Sequence, residues 1–173
     1  DGIYAEGCHS AVRLLAIEDC IKNVHITNVF GTYYQYCIGI SKFYDLASQK
    51  AFDGITIDNV YASKAPRVKE VFPYTDSYVY PLVWIQGEQH LGEVTIRNLR
   101  REERVTAIPT LFIGENTVVE NLILDGITQI NELDEGFAVI HNKGCIRSLS
   151  MRNIVADKDE VLLNEGTVMN ISE

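Results

Sequence analysis

A short pattern of alternating apolar and polar positions recurs along the whole chain. Two apolar residues separated by a polar one are followed, after a further residue, by Asn or Gly and then an apolar residue, as in Ile55-Thr56-Ile57-Asp58-Asn59-Val60. Alternation of this kind is typical of a β-strand with one buried face. The Asn or Gly positions, which we call anchors, are Gly2, Asn28, Asn59, Asn98, Gly126 and Asn153, at intervals of 26, 31, 39, 28 and 27 residues. Repeats at such intervals indicate stacked structural units.

A second apolar segment follows each anchor. These segments cover residues 11–14, 37–40, 82–85, 110–113, 137–140 and 161–163. Gly and Asn turn signals such as Gly114-Glu115-Asn116 close several of them, and the chain shows no convincing amphipathic helical stripe. The sequence therefore predicts an all-β fold, a parallel β-helix of about six coils that forms a single domain over residues 1–173. We expect these coils to belong to a longer solenoid and its open ends to favour self-association.

The anchors are the positions expected to turn the chain. Asn and Gly both tolerate left-handed backbone, and a stacked Asn can donate its amide to the coil beside it. A leucine-rich repeat is the alternative, because its pattern also ends in Asn. Here the Asn follows the last strand apolar residue by two positions rather than three, and a second strand replaces the helix, so the sequence favours the β-helix.

Composition narrows the possible partners. The chain has 15 Lys and Arg against 24 Asp and Glu, a formal net charge of −9, which argues against nucleic acid or an anionic membrane surface. No apolar run reaches the ~18–20 residues of a membrane span. Phosphate-binding loops, G-x-S-x-G nucleophiles and His pairs at metal spacing are all missing from the sequence. We therefore predict no cofactor and no metal.

Two irregular segments stand out from the repeat. The interval from Asn59 to Asn98 is the longest, and we expect an aromatic and proline-rich insertion at residues 61–81 to form a loop on the cleft side. The alternative is that its aromatic residues merely cover the solenoid flank. The run from Arg97 to Arg104 mixes charges of both signs, which predicts a solvated turn.

Residues that point outward from the second strands are the candidates for function. Trp84 and Phe112 should lie in successive coils and form an exposed aromatic stripe, and Glu6 should lie near His9 and Arg13, either at a ligand site or as a surface ion pair with Arg13. Tyr and Trp suit sugars because a ring face packs on the pyranose while a polar edge hydrogen-bonds. The alternation places outward Arg13, Leu15, Gly39, Ser41, Trp84, Gln86, Phe112, Val139 and His141. The predicted substrate-binding residues are His9, Arg13, Tyr34, Tyr36, Trp84, Phe112 and His141.

Two segments resemble a known family. The sequences Ser10-Ala11-Val12-Arg13-Leu14-Leu15 and Cys20-Ile21-Lys22-Asn23-Val24-His25-Ile26 look like the later coils of polygalacturonase-like glycoside hydrolases, in the pectin-lyase-like superfamily. The resemblance implies a right-handed parallel β-helix, a substrate-binding role for Arg13, and a secreted or periplasmic protein of which this chain forms the carboxy-terminal coils. Leu15 stands where the family has Lys, and the family's catalytic Asp motifs do not occur in this chain.

Three functions follow as expectations. The resemblance favours a glycoside hydrolase acting on a polysaccharide or oligosaccharide, with acid and base carboxylates outside this chain, since an inverting hydrolase needs two carboxyl groups about 6.5–9.5 Å apart. The alternative is a non-catalytic glycan-binding or structural β-helix of the spike or adhesin type. A polysaccharide lyase is the third possibility, although the acidic residues show no calcium-loop spacing. The catalytic residues stay unassigned.

Overall fold

The computed structural model describes residues 1–42, 50–66 and 80–172, which form two parallel β-sheets made of alternating long and short strands. The long strands form a seven-stranded sheet and the short strands a six-stranded sheet. The long strands are β1 (Ile3–Cys8), β3 (Ile21–Tyr33), β5 (Phe52–Lys64), β7 (His90–Glu103), β9 (Val118–Asn131), β11 (Cys145–Ala156) and β13 (Thr167–Ser172). The short strands are β2 (Val12–Ala16), β4 (Ile38–Lys42), β6 (Val83–Ile85), β8 (Leu111–Ile113), β10 (Ile140–Asn142) and β12 (Leu162–Asn164).

Equivalent residues of successive coils stack in register. On the long strands Ile26 pairs with Ile57, which pairs with Ile96 and then Leu124, and all four are buried. Within the ranges given above there is no helix, and thus none of the length and apolarity needed to cross a bilayer. The predicted parallel β-solenoid is therefore confirmed, and the leucine-rich repeat, which requires other elements between its strands, is not the fold.

The anchors bend the long strands around the core. Each of the six has a positive φ, between 49° at Asn98 and 76° at Gly2. Strict alternation would point Val60 outward, because it lies three residues after the inward-facing Ile57. The left-handed residue at Asn59 resets this alternation, so that both Ile57 and Val60 are buried. A left-handed anchor thus lets one continuous strand cover two sides of the apolar core.

Side-chain hydrogen bonds connect the anchors along the stack. The Asn59 amide donates to Asn28 Oδ1 over 2.6 Å, and the Asn28 amide donates to Asp1 Oδ1 over 2.6 Å. Where an Asp precedes the anchor of the preceding coil, the amide can bond that carboxylate instead, as Asn98 does with Asp58 at 2.9 Å. The predicted left-handed turns and stacked amides are both confirmed.

The fifth short strand lies further along the chain than expected. The sequence suggested residues 137–140, whereas β10 covers Ile140–Asn142. Val139 is therefore fully buried, at the corner position that Cys37 and Thr110 occupy in other coils, and is not outward. Ser41, also predicted outward, is buried, and its hydroxyl donates to the Leu14 carbonyl.

The first residues of the insertion predicted at 61–81 belong to a regular strand. Residues 61–64 complete strand β5 because they continue the inward and outward alternation past the anchor. Residues 67–79 lie outside the described part of the chain. Tyr80 and Pro81 lead directly into the corner before strand β6.

The charged run at 97–104 is not a solvated turn. Residues 97–103 are the last part of strand β7, so their side chains alternate, and Arg101 and Glu103 point into the core with 0% exposure. Arg101 donates through Nε and Nη2 to Glu103 Oε2 at 2.9 and 2.6 Å. The backbone amides of Val105 and Thr106 donate to Glu103 Oε1. Two opposite charges are tolerated inside because they pair and their remaining polar atoms are bonded.

This pair belongs to a buried polar network that crosses several coils, which we call the polar spine: Lys64, Arg101, Glu103, Gln129, Asn131 and Asp159. Thr110 joins two of its members, accepting from Arg101 Nη1 at 3.0 Å and donating to Gln129 Oε1 at 2.5 Å. Gln129 and Asn131 each donate to Asp159 at 2.7 Å. At the other end Lys64 Nζ donates to the carbonyls of Gln35 and Tyr80. The spine ties together the corners that carry each long strand into the next short strand.

Replacement of an anchor should destabilise the stack. We expect Asn59→Ala to lower the free energy of unfolding by about 1–2 kcal/mol, because Ala lacks the polar side chain that lets Asn tolerate left-handed backbone and the bond to Asn28 is lost. Asn59→Gly removes the same bond without the strain, so its loss should be smaller. Urea unfolding of the two variants measures the difference, and equal losses would contradict the role assigned to the backbone.

Burial of Lys64 should make stability depend on pH. Desolvation, with Arg101 nearby, lowers the pKa of Lys64 to about 7 in the folded chain from 10.5. Between these values the unfolded chain binds more protons, so stability gains as pH rises. We expect the protein to gain about 2 kcal/mol relative to Lys64→Met between pH 7 and pH 9. Urea unfolding of both proteins at the two pH values measures this, and parallel pH dependences would show that Lys64 stays charged.

Candidate functional site

One row of outward side chains runs along the six-stranded sheet. Arg13, Gly39, Trp84, Phe112, His141 and Leu163 occupy the same position in successive short strands and pair in register. We call these six residues the outer column. Trp84 and Phe112 are direct register partners and both are partly exposed. The predicted aromatic stripe therefore exists, and Arg13, Trp84, Phe112 and His141 share one face of the solenoid.

At Gly39, where the outer column has no side chain, a cluster of aromatic rings fills the space. A β-carbon on Gly39 would lie 2.5 Å from the Tyr36 ring, so the ring sits directly over this glycine. From there Tyr36 contacts Trp84, with ring centroids 5.4 Å apart. Tyr80 packs edge-on against Trp84 at 4.8 Å. Trp84 is thereby held by Tyr36, from the connection that precedes strand β4, and by Tyr80, from the connection that precedes its own strand β6.

The two predicted tyrosines lie in this cluster but are not exposed. Tyr36 is 2% exposed and Tyr34 is 8% exposed, and burial raises the pKa of Tyr36. Ligand stacking on their ring faces, as the sequence suggested, would require these faces to be open. Both instead pack against neighbouring side chains of the same face because the close approach over Gly39 brings the 34–36 segment down onto the sheet. Tyr34 and Tyr36 therefore support the exposed residues of this face from below.

A histidine and an arginine lie at the first end of the column. His9 packs edge-on against Tyr34 at 5.4 Å and against Tyr36 at 6.1 Å. Burial and the neighbouring Arg13 guanidinium lower the pKa of His9. At neutral pH the imidazole is thus held neutral while Arg13, which is exposed, carries the positive charge of this end.

The opposite end of the column holds charges of both signs. His141 packs edge-on against Phe112 at 5.3 Å, and its Nε2 lies 3.2 Å from Glu165 Oε2 without the alignment of a hydrogen bond. Lys143 Nζ lies 3.3 Å from the same oxygen. These two neighbours lower the pKa of Glu165. A ligand that reaches Phe112 would therefore meet the His141 imidazole and, beside it, the Glu165 carboxylate, which is ionised at neutral pH.

Glu6 does not join the histidine and arginine as the sequence suggested. Its carboxylate accepts a hydrogen bond from the Tyr4 hydroxyl. Strand β1 carries both residues on the outer face of the seven-stranded sheet. The chain reverses direction between strands β1 and β2, so that Glu6 and Arg13 belong to different sheets.

The arrangement suits recognition of a flat, hydroxyl-bearing ligand. Apolar ring surface is available at Trp84 and Phe112, and hydrogen-bonding groups flank it at Arg13 and His141. In the described ranges there is no group of three or more His, Cys, Asp or Glu side chains placed to hold a metal. Sequence reasoning missed Tyr80 as a partner of Trp84, although its place just before strand β6 was a usable signal.

Trp84 is the single tryptophan of the chain, so its fluorescence reports on this face. We expect Gly39→Ala to push the Tyr36 ring away from Trp84 and to shift the Trp84 emission towards that of a more exposed indole. Gly136→Ala is the matched control, because its added β-carbon would meet only Asp159 at 3.6 Å. Unchanged emission in Gly39→Ala would mean that the ring does not lie over the glycine in solution.

Comparison of the chain with protein-family models, curated proteins and solved structures gives no match. The architecture consequently rests on the hydrogen-bonded ladders of this chain. The structure establishes a parallel β-solenoid of repeated coils with an aromatic outer column on its six-stranded sheet.

Proposed function

We propose that this chain provides the glycan-binding face of a carbohydrate-active β-solenoid protein. The observation that carries the proposal is the register pairing of Trp84 with Phe112 on the outward side of the six-stranded sheet. Two partly exposed rings one strand spacing apart, about 4.8 Å, offer adjacent stacking surfaces to successive sugar units. The ligand is a polysaccharide or oligosaccharide that runs along the solenoid axis.

The polar residues that flank the Trp84 and Phe112 rings favour a sugar over a purely apolar ligand. Arg13 and His141 can bond hydroxyl groups, and exposed Arg13 can also bond a carboxylate. The apolar Leu15 stands where the resembled family has Lys, so Arg13 lacks the second cation of that basic pair, and a neutral or sparsely charged glycan suits the face better than a dense polyuronate. Selectivity for sugars of low charge is therefore part of the proposal.

For the full-length protein we propose glycoside hydrolysis of the polygalacturonase-like kind, on the resemblance of residues 10–15 and 20–26. The outer column contains no carboxylate, whereas hydrolysis needs an acid and a base. Both would come from outside this chain. A non-catalytic glycan-binding protein is the second candidate, because the described column is complete as a binding surface without them.

The experiment is a glycan-binding titration followed through Trp84 fluorescence and calorimetry. We expect Trp84→Ala to weaken binding of the responding oligosaccharide at least about tenfold. Met169→Ala is the matched control, since Met169 is exposed on the other sheet and its loss should leave affinity unchanged. Equal affinity of Trp84→Ala and the parent protein would contradict the proposal.

Product analysis separates the candidate functions. New reducing ends released by the full-length protein identify a hydrolase, and an unsaturated product lost on chelation identifies a lyase. Binding without either product identifies a glycan-binding protein. Arg13→Ala should weaken binding in each case, and retention of full affinity would remove Arg13 from the site.

A further inference from the structure

A second row of aromatic residues lies on the outer face of the seven-stranded sheet. Tyr4 pairs in register with Phe30, and Phe30 pairs with Tyr61. Each lies two residues after an anchor, so the left-handed bend places all three on the same outward position. Tyr4 is 71% exposed and Tyr61 is 47% exposed, which is unusual for large aromatic side chains that stand side by side.

These rings belong to a groove with a volume of about 490 Å³, within the range of small-molecule binding sites. We call this the anchor groove, after its position next to the anchors. Its polar lining comes from different coils and brings acceptors and hydroxyl groups around the rings. These polar side chains include Glu6, Thr32, Ser63, Glu102 and Arg104.

The cations in and beside the groove are already bonded, Lys64 Nζ to the carbonyls of Gln35 and Tyr80 and two arginines to carboxylates. Arg100 donates through Nε and Nη2 to Glu102 Oε1 at 3.0 and 2.5 Å, and its guanidinium lies 5.8 Å from the Tyr61 ring centre. Arg104 lies 2.6 Å from Glu132 Oε1 and 4.0 Å from Glu102 Oε2. Among the residues that the structure describes, the groove therefore presents no excess of positive charge to an anionic ligand.

The acceptors remain free to take further hydrogen bonds. The Glu6 carboxylate accepts from the Tyr4 hydroxyl, and each carboxylate oxygen can accept more than one hydrogen bond. Thr32 Oγ1 accepts from the Gly7 amide at 2.9 Å, which leaves its own proton to donate. Aromatic faces beside carboxylate acceptors and hydroxyl groups match a ligand that is itself uncharged, ring-shaped and rich in hydroxyl groups.

A peptide fits this surface less well. Peptides that add to a sheet bond its free edge, whereas at the position of the three rings strand β5 is paired with both β3 and β7, the β7 ladder ending at the Tyr61–Arg100 pair. A sugar needs no backbone partner, because its hydroxyl groups bond side chains.

We propose that the anchor groove is a second carbohydrate site, which binds a short neutral oligosaccharide across three coils through Tyr4, Phe30 and Tyr61, with Glu6 and Glu102 as acceptors. It lies on the opposite sheet from the outer column and shares no residue with it. The two faces differ in charge: the column carries the cation Arg13, whereas the anchor groove has its arginines neutralised. This inference goes beyond the proposed function and does not rely on it.

The test uses calorimetry with cellohexaose, xylohexaose, mannohexaose and, as the anionic probe, hexagalacturonate. We expect at least one neutral probe to bind the chain carrying Trp84→Ala, in which the outer column is impaired. In that background Tyr61→Ala should weaken binding at least about tenfold, and Glu6→Gln should weaken it less. Val155→Ala is the matched control, because Val155 is an exposed residue of strand β11 on the same sheet.

The outcomes distinguish the two sites. Neutral-probe binding that survives Trp84→Ala and falls with Tyr61→Ala supports the anchor groove whether or not the outer column binds glycans. Loss of all neutral-probe binding with Trp84→Ala alone, or equal affinities of the Tyr61→Ala and Val155→Ala proteins, overturns the proposal. Absence of binding by every neutral probe also overturns it, as does a preference of the groove for hexagalacturonate.

Discussion

Left-handed backbone at the anchors is the constraint on which the rest of this structure depends. It allows a strand to turn around the core without leaving its ladder, so that Ile57 and Val60 are buried on either side of Asn59. Because the turn recurs at the same place, equivalent residues stack along the axis at the spacing of neighbouring strands. The outer column and the anchor groove are both products of this stacking, since each brings side chains that are 22 to 45 residues apart in sequence into one row.

Much of this arrangement follows from the sequence. The anchors, the two classes of strand and the shared face of Trp84 and Phe112 could all be predicted, because alternation and the Asn or Gly signal are local. The row of Tyr4, Phe30 and Tyr61 could also have been found, as each lies two residues after its anchor. The burial of Tyr34 and Tyr36 could not be predicted, because it depends on how the segment before β4 folds back over Gly39. No periodic signal describes such a connection.

The polar spine shows why the charged run was misinterpreted. Charges normally indicate solvent, and Arg101 and Glu103 escape this rule only because alternation points both inward, two residues apart on one strand, where they neutralise each other. Their further partners, the 105 and 106 amides and Thr110, come from the next corner. The information needed to recognise the spine is therefore spread over strand and corner. Its effect is to hold the corners that lead into the short strands, and with them the connections that support Trp84.

The spine also means that the coils are not interchangeable. An aliphatic coil can be copied or deleted without harm to its neighbours, since any apolar layer matches the next one. The coil that carries Arg101 and Glu103 cannot be copied or deleted in this way, because both of its neighbours bond to the pair. The Lys64 backbone amide bonds Glu103 from one side, and Gln129 is linked to Arg101 through Thr110 on the other. Lineages of this solenoid should therefore lengthen or shorten by duplication outside the stretch from Lys64 to Asp159, while that stretch is inherited as a single block.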